Sequence, residues 1–128
     1  MPKEFLFRGK KLEELKKMDI REFAKLLSSR NKRSLLRQSD KIGNFLKKFE
    51  RCKDRGKKIR IHDRSIVIVP AMIDLFIYVH NGKEFVPLKI TPELIGHKIG
   101  EFVPTRKKVE HSAPGVGATR SSAALSVK

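Results

Sequence analysis

The stretch Leu75-Phe76-Ile77-Tyr78-Val79-His80-Asn81-Gly82-Lys83-Glu84-Phe85-Val86-Pro87-Leu88-Lys89-Ile90 holds two β-prone runs around an Asn-Gly pair. β-Branched and aromatic residues suit a pleated, half-buried surface, and Asn-Gly takes the positive φ angles of a type I′ turn. A hairpin with a two-residue loop is therefore expected. It sets His80 opposite Lys83 and Tyr78 opposite Phe85, an aromatic cross-strand pair that favours the register. Pro87 has no N–H to give a ladder, so its strand is expected at an edge.

Upstream, Ser65-Ile66-Val67-Ile68-Val69 is a β-branched run that reads as a buried strand ended by Pro70. Downstream, a short helix is expected, with Thr91 as N-cap, Pro92 at its first position and Glu93 near the positive dipole end. Gly96 and Gly100 keep it short. From about Val103 the composition turns to Pro, Gly, Ser, Ala and scattered charge, which cannot bury enough apolar surface to fold alone. Toward the N-terminus, Leu12, Leu15, Phe23, Leu26 and Leu27, with Asp19 and Glu22 in capping-box spacing, predict two short helices or one kinked at Asp19. A further helix is expected from about Arg33 to Arg51, where Ile42, Phe45, Leu46 and Phe49 form an apolar stripe that Gly43 slightly weakens.

The expected fold class is α+β. It comprises a small antiparallel three-stranded sheet, N-terminal helices, one short helix after the hairpin and an extended C-terminal tail. Three segments follow: a basic helical extension over 1–56, a core α+β domain over 57–106, and an extended or disordered tail over 107–128.

Charge selects the partner. Across 128 residues, 30 Lys and Arg against 14 Asp and Glu leave a formal charge of +16. Residues 1–64 hold 22 of the basic and 9 of the acidic side chains. Such a chain repels itself unless a polyanion neutralises it, and phosphate backbones release counterions when they meet Lys or Arg. Nucleic acid is the partner expected. The longest apolar run, Ile66 to Ile73 with Pro70 inside it, is far shorter than the roughly 20 residues of a spanning helix, so no membrane role is expected. Met1-Pro2-Lys3-Glu4 begins no secretory signal, and Cys52 is the single cysteine. Both suit a reducing intracellular compartment.

Catalytic constellations are missing. His62, His80, His97 and His111 stand far apart and none pairs with Cys52 at metal-ligand spacing. No metal site and no cofactor are expected. Gly115-Val116-Gly117 lacks the strand and helix of a dinucleotide fingerprint. Cys52 would need an oriented base to act as a nucleophile, and Glu13 and Glu14 point in different directions on a helix. No catalytic residue is assigned. The aromatic signature of an RRM sheet and the Gly-x-x-Gly loop of a KH domain are also missing.

Asn81-Gly82-Lys83, then Ile90, then Ile95-Gly96-His97-Lys98-Ile99-Gly100-Glu101-Phe102 and Thr105 resemble the signature of the universal small-subunit ribosomal protein S-nineteen family. Ile59-Arg60-Ile61-His62 and Val69-Pro70-Ala71-Met72-Ile73 are similar to it as well. The tail His111-Ser112-Ala113-Pro114-Gly115-Val116-Gly117-Ala118-Thr119-Arg120-Ser121-Ser122 and the helical N-terminus resemble the archaeal and eukaryotic branch. Asp74 stands where the family usually has Gly, and Asp63 stands beside Arg64. The ending Ala123-Ala124-Leu125-Ser126-Val127-Lys128 lacks that branch's aromatic and proline residues.

The resemblance implies a cytoplasmic structural constituent of the small ribosomal subunit. It would bind the 3′ major, or head, domain of small-subunit ribosomal RNA, with protein S-thirteen as neighbour. RNA contacts are expected from Arg60, His62, Arg64, Asn81, Gly82, Lys83, Gly96, His97, Lys98, Thr105, Arg106, Lys107 and Lys108. Gly115, Gly117, Thr119 and Arg120 would direct the tail toward the decoding region and its tRNA. The competing classes are a general basic nucleic-acid-binding protein, suggested by charge alone, and a small enzyme using Cys52.

Overall fold

The computed structural model describes residues 3–110 and Gly115. In chain order its elements are β1 (Leu6–Phe7), β2 (Lys10–Lys11), α1 (Leu12–Lys17), α2 (Ile20–Ala24), α3 (Ser29–Arg37), α4 (Ser39–Asp54), β3 (Ile59–Ile61), β4 (Phe76–His80) and β5 (Phe85–Lys89). Short 3-10 turns cover Pro70–Met72, Pro92–Leu94 and Ile99–Phe102. The α+β class is as expected.

The hairpin forms, with a different loop. Asn81 Oδ1 accepts the N–H groups of Lys83 at 2.9 Å and Glu84 at 2.8 Å, and Asn81 N donates to the Glu84 carbonyl at 3.0 Å. Only Gly82, at φ 101°, takes a positive φ in this turn. The Asn side chain thus builds an Asx-type loop over Asn81–Glu84 in place of a two-residue type I′ turn. His80 consequently faces Phe85, and Tyr78 faces Pro87. The slip is by two residues, so every side chain keeps its expected face. A turn with both central residues at positive φ occurs instead at Arg8 (φ 51°) and Gly9 (φ 80°), joining β1 to β2.

The larger sheet has the order β3-β4-β5, leaving the Pro87 strand at an edge as expected. It is mixed and not wholly antiparallel, because β3 runs parallel to β4 with Ile59 beside Ile77 and Ile61 beside Val79. Parallel neighbours need a long return connection, and the chain between them supplies one. Ser65–Val69, expected as a strand, lies within that return. Ile66 to Val69 are buried, but their backbone bonds the loop after the hairpin. Ile68 N donates to the His97 carbonyl at 2.8 Å, and Ile99 N to the Ile66 carbonyl at 3.0 Å. Only Val67 and Lys98 form a β-bridge.

The helices break where the backbone leaves helical geometry. Met18 and Asp19 separate α1 from α2, and Asp19 makes no side-chain cap bond. The single helix expected over Arg33–Arg51 is two, jointed at Gln38 (φ −103°, ψ 11°), whose Nε2 donates to Ser65 Oγ at 3.1 Å. The short helix after Thr91 is a 3-10 turn with Pro92 first and no side-chain cap.

One hydrophobic cluster joins Leu15, Phe23, Leu35, Ile42 and Phe45 of the helical segment to Ile59, Ile61, Ile77 and Val79 on one face of the sheet. Ile66 to Val69, Met72, Ile73, Leu75, Ile90, Ile95, Ile99 and Val103 belong to it as well. Each such side chain contributes about 1.5–3 kcal/mol when fully buried. Covering one face of the sheet with apolar residues leaves its other face to be explained.

Candidate nucleic-acid interface

Strand alternation decides that other face. With Ile59, Ile61, Ile77 and Val79 inward, Arg60, Phe76, Tyr78, His80, Phe85, Pro87 and Lys89 point outward. Cross-strand pairs set Phe76 beside Lys89, Tyr78 beside both Pro87 and Arg60, and His80 beside Phe85. The Arg60 guanidinium carbon lies 5.4 Å from the Phe85 ring centroid, and Lys58 Nζ lies 5.3 Å from that of Tyr78. His62 stacks on His80 at 4.8 Å and meets Phe85 edge-on at 5.1 Å. Gly82 N donates to His80 Nδ1 at 3.0 Å, holding that ring against the turn. None of the three strands contains an Asp or Glu. Aromatic faces beside unneutralised cations are the chemistry that meets bases and phosphates.

A basic track leads to this face. On α3, Arg30, Arg33 and Arg37 follow one side of the helix and line, with Ser34, Gln38 and Lys41, a cleft of about 630 Å³. Lys41 then borders a second cleft with Asn44, Lys48, Arg60 and His62. Asp63 sits at that junction, 3.6 Å from Lys41 Nζ, and accepts the Ser65 hydroxyl at 2.8 Å. The Ser65 hydrogen bond, aided by the Lys41 charge, holds its carboxyl below the ordinary aspartate value against partial burial. Beyond the hairpin, His97 Nδ1 and Glu101 Oε2 lie 2.9 Å apart, and Val103 is buried before the exposed run Thr105, Arg106, Lys107 and Lys108.

Residues 33–111 match the family model described as Ribosomal protein S19. The chain belongs to that family. It is therefore an RNA-binding, small-subunit ribosomal protein that serves translation, with ribosomal RNA and other ribosomal proteins as partners, in a family of structural proteins. The S19 match begins inside α3 and spans α4, the larger sheet and the loop after it, while β1, β2, α1 and α2 precede it.

Within the S19 region the expected contact residues separate into groups. Arg60 and His62 lie on the outer sheet face, and Asn81, Gly82 and Lys83 form its turn, with Gly82 and Lys83 exposed. His97, Lys98 and Thr105 to Lys108 form a second group after the hairpin, with Lys98 half-buried. Arg64 is half-buried and its guanidinium is turned onto the protein's own backbone. Its guanidinium donates to the carbonyls of His80 at 2.9 Å, Gly100 at 2.8 Å, and Val103. Gly96 is buried against protein, with a β-carbon there meeting Leu27 and Phe7. Gly115 is exposed; Gly117, Thr119 and Arg120 lie outside the described residues.

Lys58, Phe76, Tyr78, Phe85 and Lys89 were not among the expected contacts. The alternation of the hairpin strands carries the signal that could have found them, since it sets Phe76, Tyr78 and His80 on one face. Among the described residues, no cluster of His, Cys, Asp and Glu could hold a metal ion, and no helix is long and apolar enough to cross a membrane. Cys52 is half-buried on α4.

Proposed function

We propose that this S19-family protein sits in the head of the small subunit, bound to the 3′ major domain of the small-subunit ribosomal RNA. Protein S-thirteen is its neighbour, and its C-terminal tail runs toward the decoding region and tRNA. It belongs to the archaeal and eukaryotic-type branch and works in the cytoplasm as part of that subunit. The observation that carries the reading is the acid-free outer sheet face, continued by the Arg30, Arg33, Arg37 and Lys41 track, in a chain of the S19 family. Phosphate contacts give such a surface affinity and orientation.

Residue roles follow. Arg60, His62, Lys83, His97, Lys98, Thr105, Arg106, Lys107 and Lys108 contact RNA, and the Asn81-Gly82 turn presents backbone to it. Arg64 and Gly96 position the loops that carry these groups. Segment 1–56 extends the phosphate-binding surface of the 57–106 core, and the segment over 107–128 is the part directed at tRNA.

Chemical footprinting of ribosomal RNA, in small subunits assembled with and without the full-length protein, tests the seat. New protections confined to the 3′ major domain are expected, with cross-links to protein S-thirteen. Protections outside that domain, or absence of the protein from purified small subunits, would overturn it.

A further inference from the structure

We propose that the outer sheet face around Phe76 is a site for one unpaired nucleotide of RNA, its base against the Phe76 ring and its phosphates beside Lys58 and Lys89. The proposal rests on the RNA-binding reading above and adds a bound chemical group to a place where that reading assigns none.

Phe76 is 51% exposed while its neighbour Ile77 is completely buried, so the strand places a large ring, half of it open to solvent, at its outward position. Tyr78 supports that ring edge-on, with centroids 5.5 Å apart and planes at 78°. Lys89 lies directly across the ladder from Phe76. Lys58 stands over Tyr78 at 5.3 Å. Pro87, opposite Tyr78, adds a flat apolar surface and no N–H.

An apolar ring with Lys89 across the ladder and Lys58 over its tyrosine neighbour, on strands without a carboxylate, is poorly matched to an apolar protein partner. It suits a group that is aromatic at one end and anionic at the other. A nucleotide is such a group, and stacking on an aromatic side chain tolerates any base. Bases within a duplex are already stacked and do not present a free face, so an unpaired nucleotide is the occupant.

The test compares full-length wild-type protein with Phe76→Ala and Phe76→Tyr by fluorescence anisotropy. The probes are labelled octauridylate and a labelled RNA duplex of equal length, at one fixed salt concentration. Stacking on one aromatic side chain corresponds to roughly tenfold in affinity. Phe76→Ala is expected to weaken octauridylate binding about that much with duplex binding unchanged, and Phe76→Tyr to retain both. Since Phe76 is half exposed, its replacement leaves the core intact, unchanged duplex affinity of Phe76→Ala reports a preserved fold, and Phe76→Tyr reports that an aromatic ring suffices. Octauridylate affinity unchanged in Phe76→Ala, or equal losses on both probes, would overturn the proposal. So would unchanged RNA binding with loss of a neighbouring protein from assembled subunits, which would make the face a protein contact. Co-sedimentation with small subunits reads the seat separately. Normal co-sedimentation of Phe76→Ala with no octauridylate effect therefore defeats the nucleotide site alone.

Discussion

Gly96 lies so close to Leu27 that a β-carbon at Gly96 would stand 2.9 Å from Leu27 Cδ2, with Phe7 Cζ at 3.4 Å. Gly96 also has φ 84°, in the left-handed region, and its carbonyl accepts Asn31 Nδ2 at 2.9 Å. The loop that presents His97 and Lys98 is therefore clamped to the helical segment by both packing and a hydrogen bond. Gly96→Ala is expected to destabilise the protein by about 1–3 kcal/mol. Leu27 Cδ2 is a movable tip, so most of that loss is backbone strain, and Leu27→Ala in the same chain should recover only the steric share. Urea midpoints of the two single variants and the double variant measure it; full recovery would contradict the strain account.

Arg64 braces two chain segments, the end of β4 and the Ile99–Phe102 turn, through the carbonyls of His80, Gly100 and Val103. A lysine cannot reproduce the planar fork, and carbonyls left unpaired in a half-buried site are costly. Arg64→Lys and Arg64→Ala should each lower unfolding free energy by about 2 kcal/mol or more. The check is denaturant unfolding together with RNA binding at varied salt. A large stability change with an unaltered salt slope marks a bracing role, whereas the reverse pattern marks a phosphate contact.

Asp74 has φ 66°, which explains why glycine is at home there. Aspartate tolerates this region better than most residues, and a β-branched residue does not. Asp74→Gly should leave stability within about 1 kcal/mol of wild type, while Asp74→Val should lose about 1–2 kcal/mol. Thermal unfolding of the pair decides the matter, and equal midpoints for Gly and Val would refute it.

Asp63 predicts an acid-side effect. Its folded carboxyl titrates below the ordinary value of 3.8 because Ser65 and Lys41 favour the charged form. A depressed folded value adds stability above the unfolded one and loses it as pH falls through the folded one. Asp63→Asn keeps an acceptor for Ser65 and removes the charge. Between neutral pH and pH 2, its stability should therefore decline less than wild type's. Parallel pH profiles in urea would rule out this contribution.

The α3 arginines test the charge track. Arg30, Arg33 and Arg37 are exposed, so replacing all three with Ala should leave the fold intact. It should weaken ribosomal RNA binding at low salt and reduce the slope of log affinity against log salt by about 2–3. Titrations at several salt concentrations measure that slope, and an unchanged value would remove the track from the interface.

The elements that carry the candidate face were legible in the sequence because they follow from periodicity and charge, whereas which residues lie on that face was not. Leu75 to Ile90 announced a hairpin with an edge at Pro87, and the two-residue slip in its register preserved the faces. The surplus of Lys and Arg named a phosphate-bearing partner. The outer face of Phe76, Tyr78, Phe85 and Lys89 was implicit in the same alternation, yet it emerged only once β3 and the core had identified which face was covered.

The sequence by itself determined where local causes act: a chain reversal at Asn81-Gly82 though not its loop type, the buried character of Ile66 to Val69, a short turn at Pro92, and helical basic segments though not their break at Gln38. Tertiary structure decided what pairs with what. Val67 bridges Lys98 and does not extend the sheet, and Ile59–Ile61 takes the place beside β4 in parallel. Arg64, indistinguishable in sequence from a phosphate-binding arginine, is captured by three carbonyls from distant segments. Local patterns report propensity and face. Partners separated by tens of residues are selected by the joint burial of one core, which no local pattern contains.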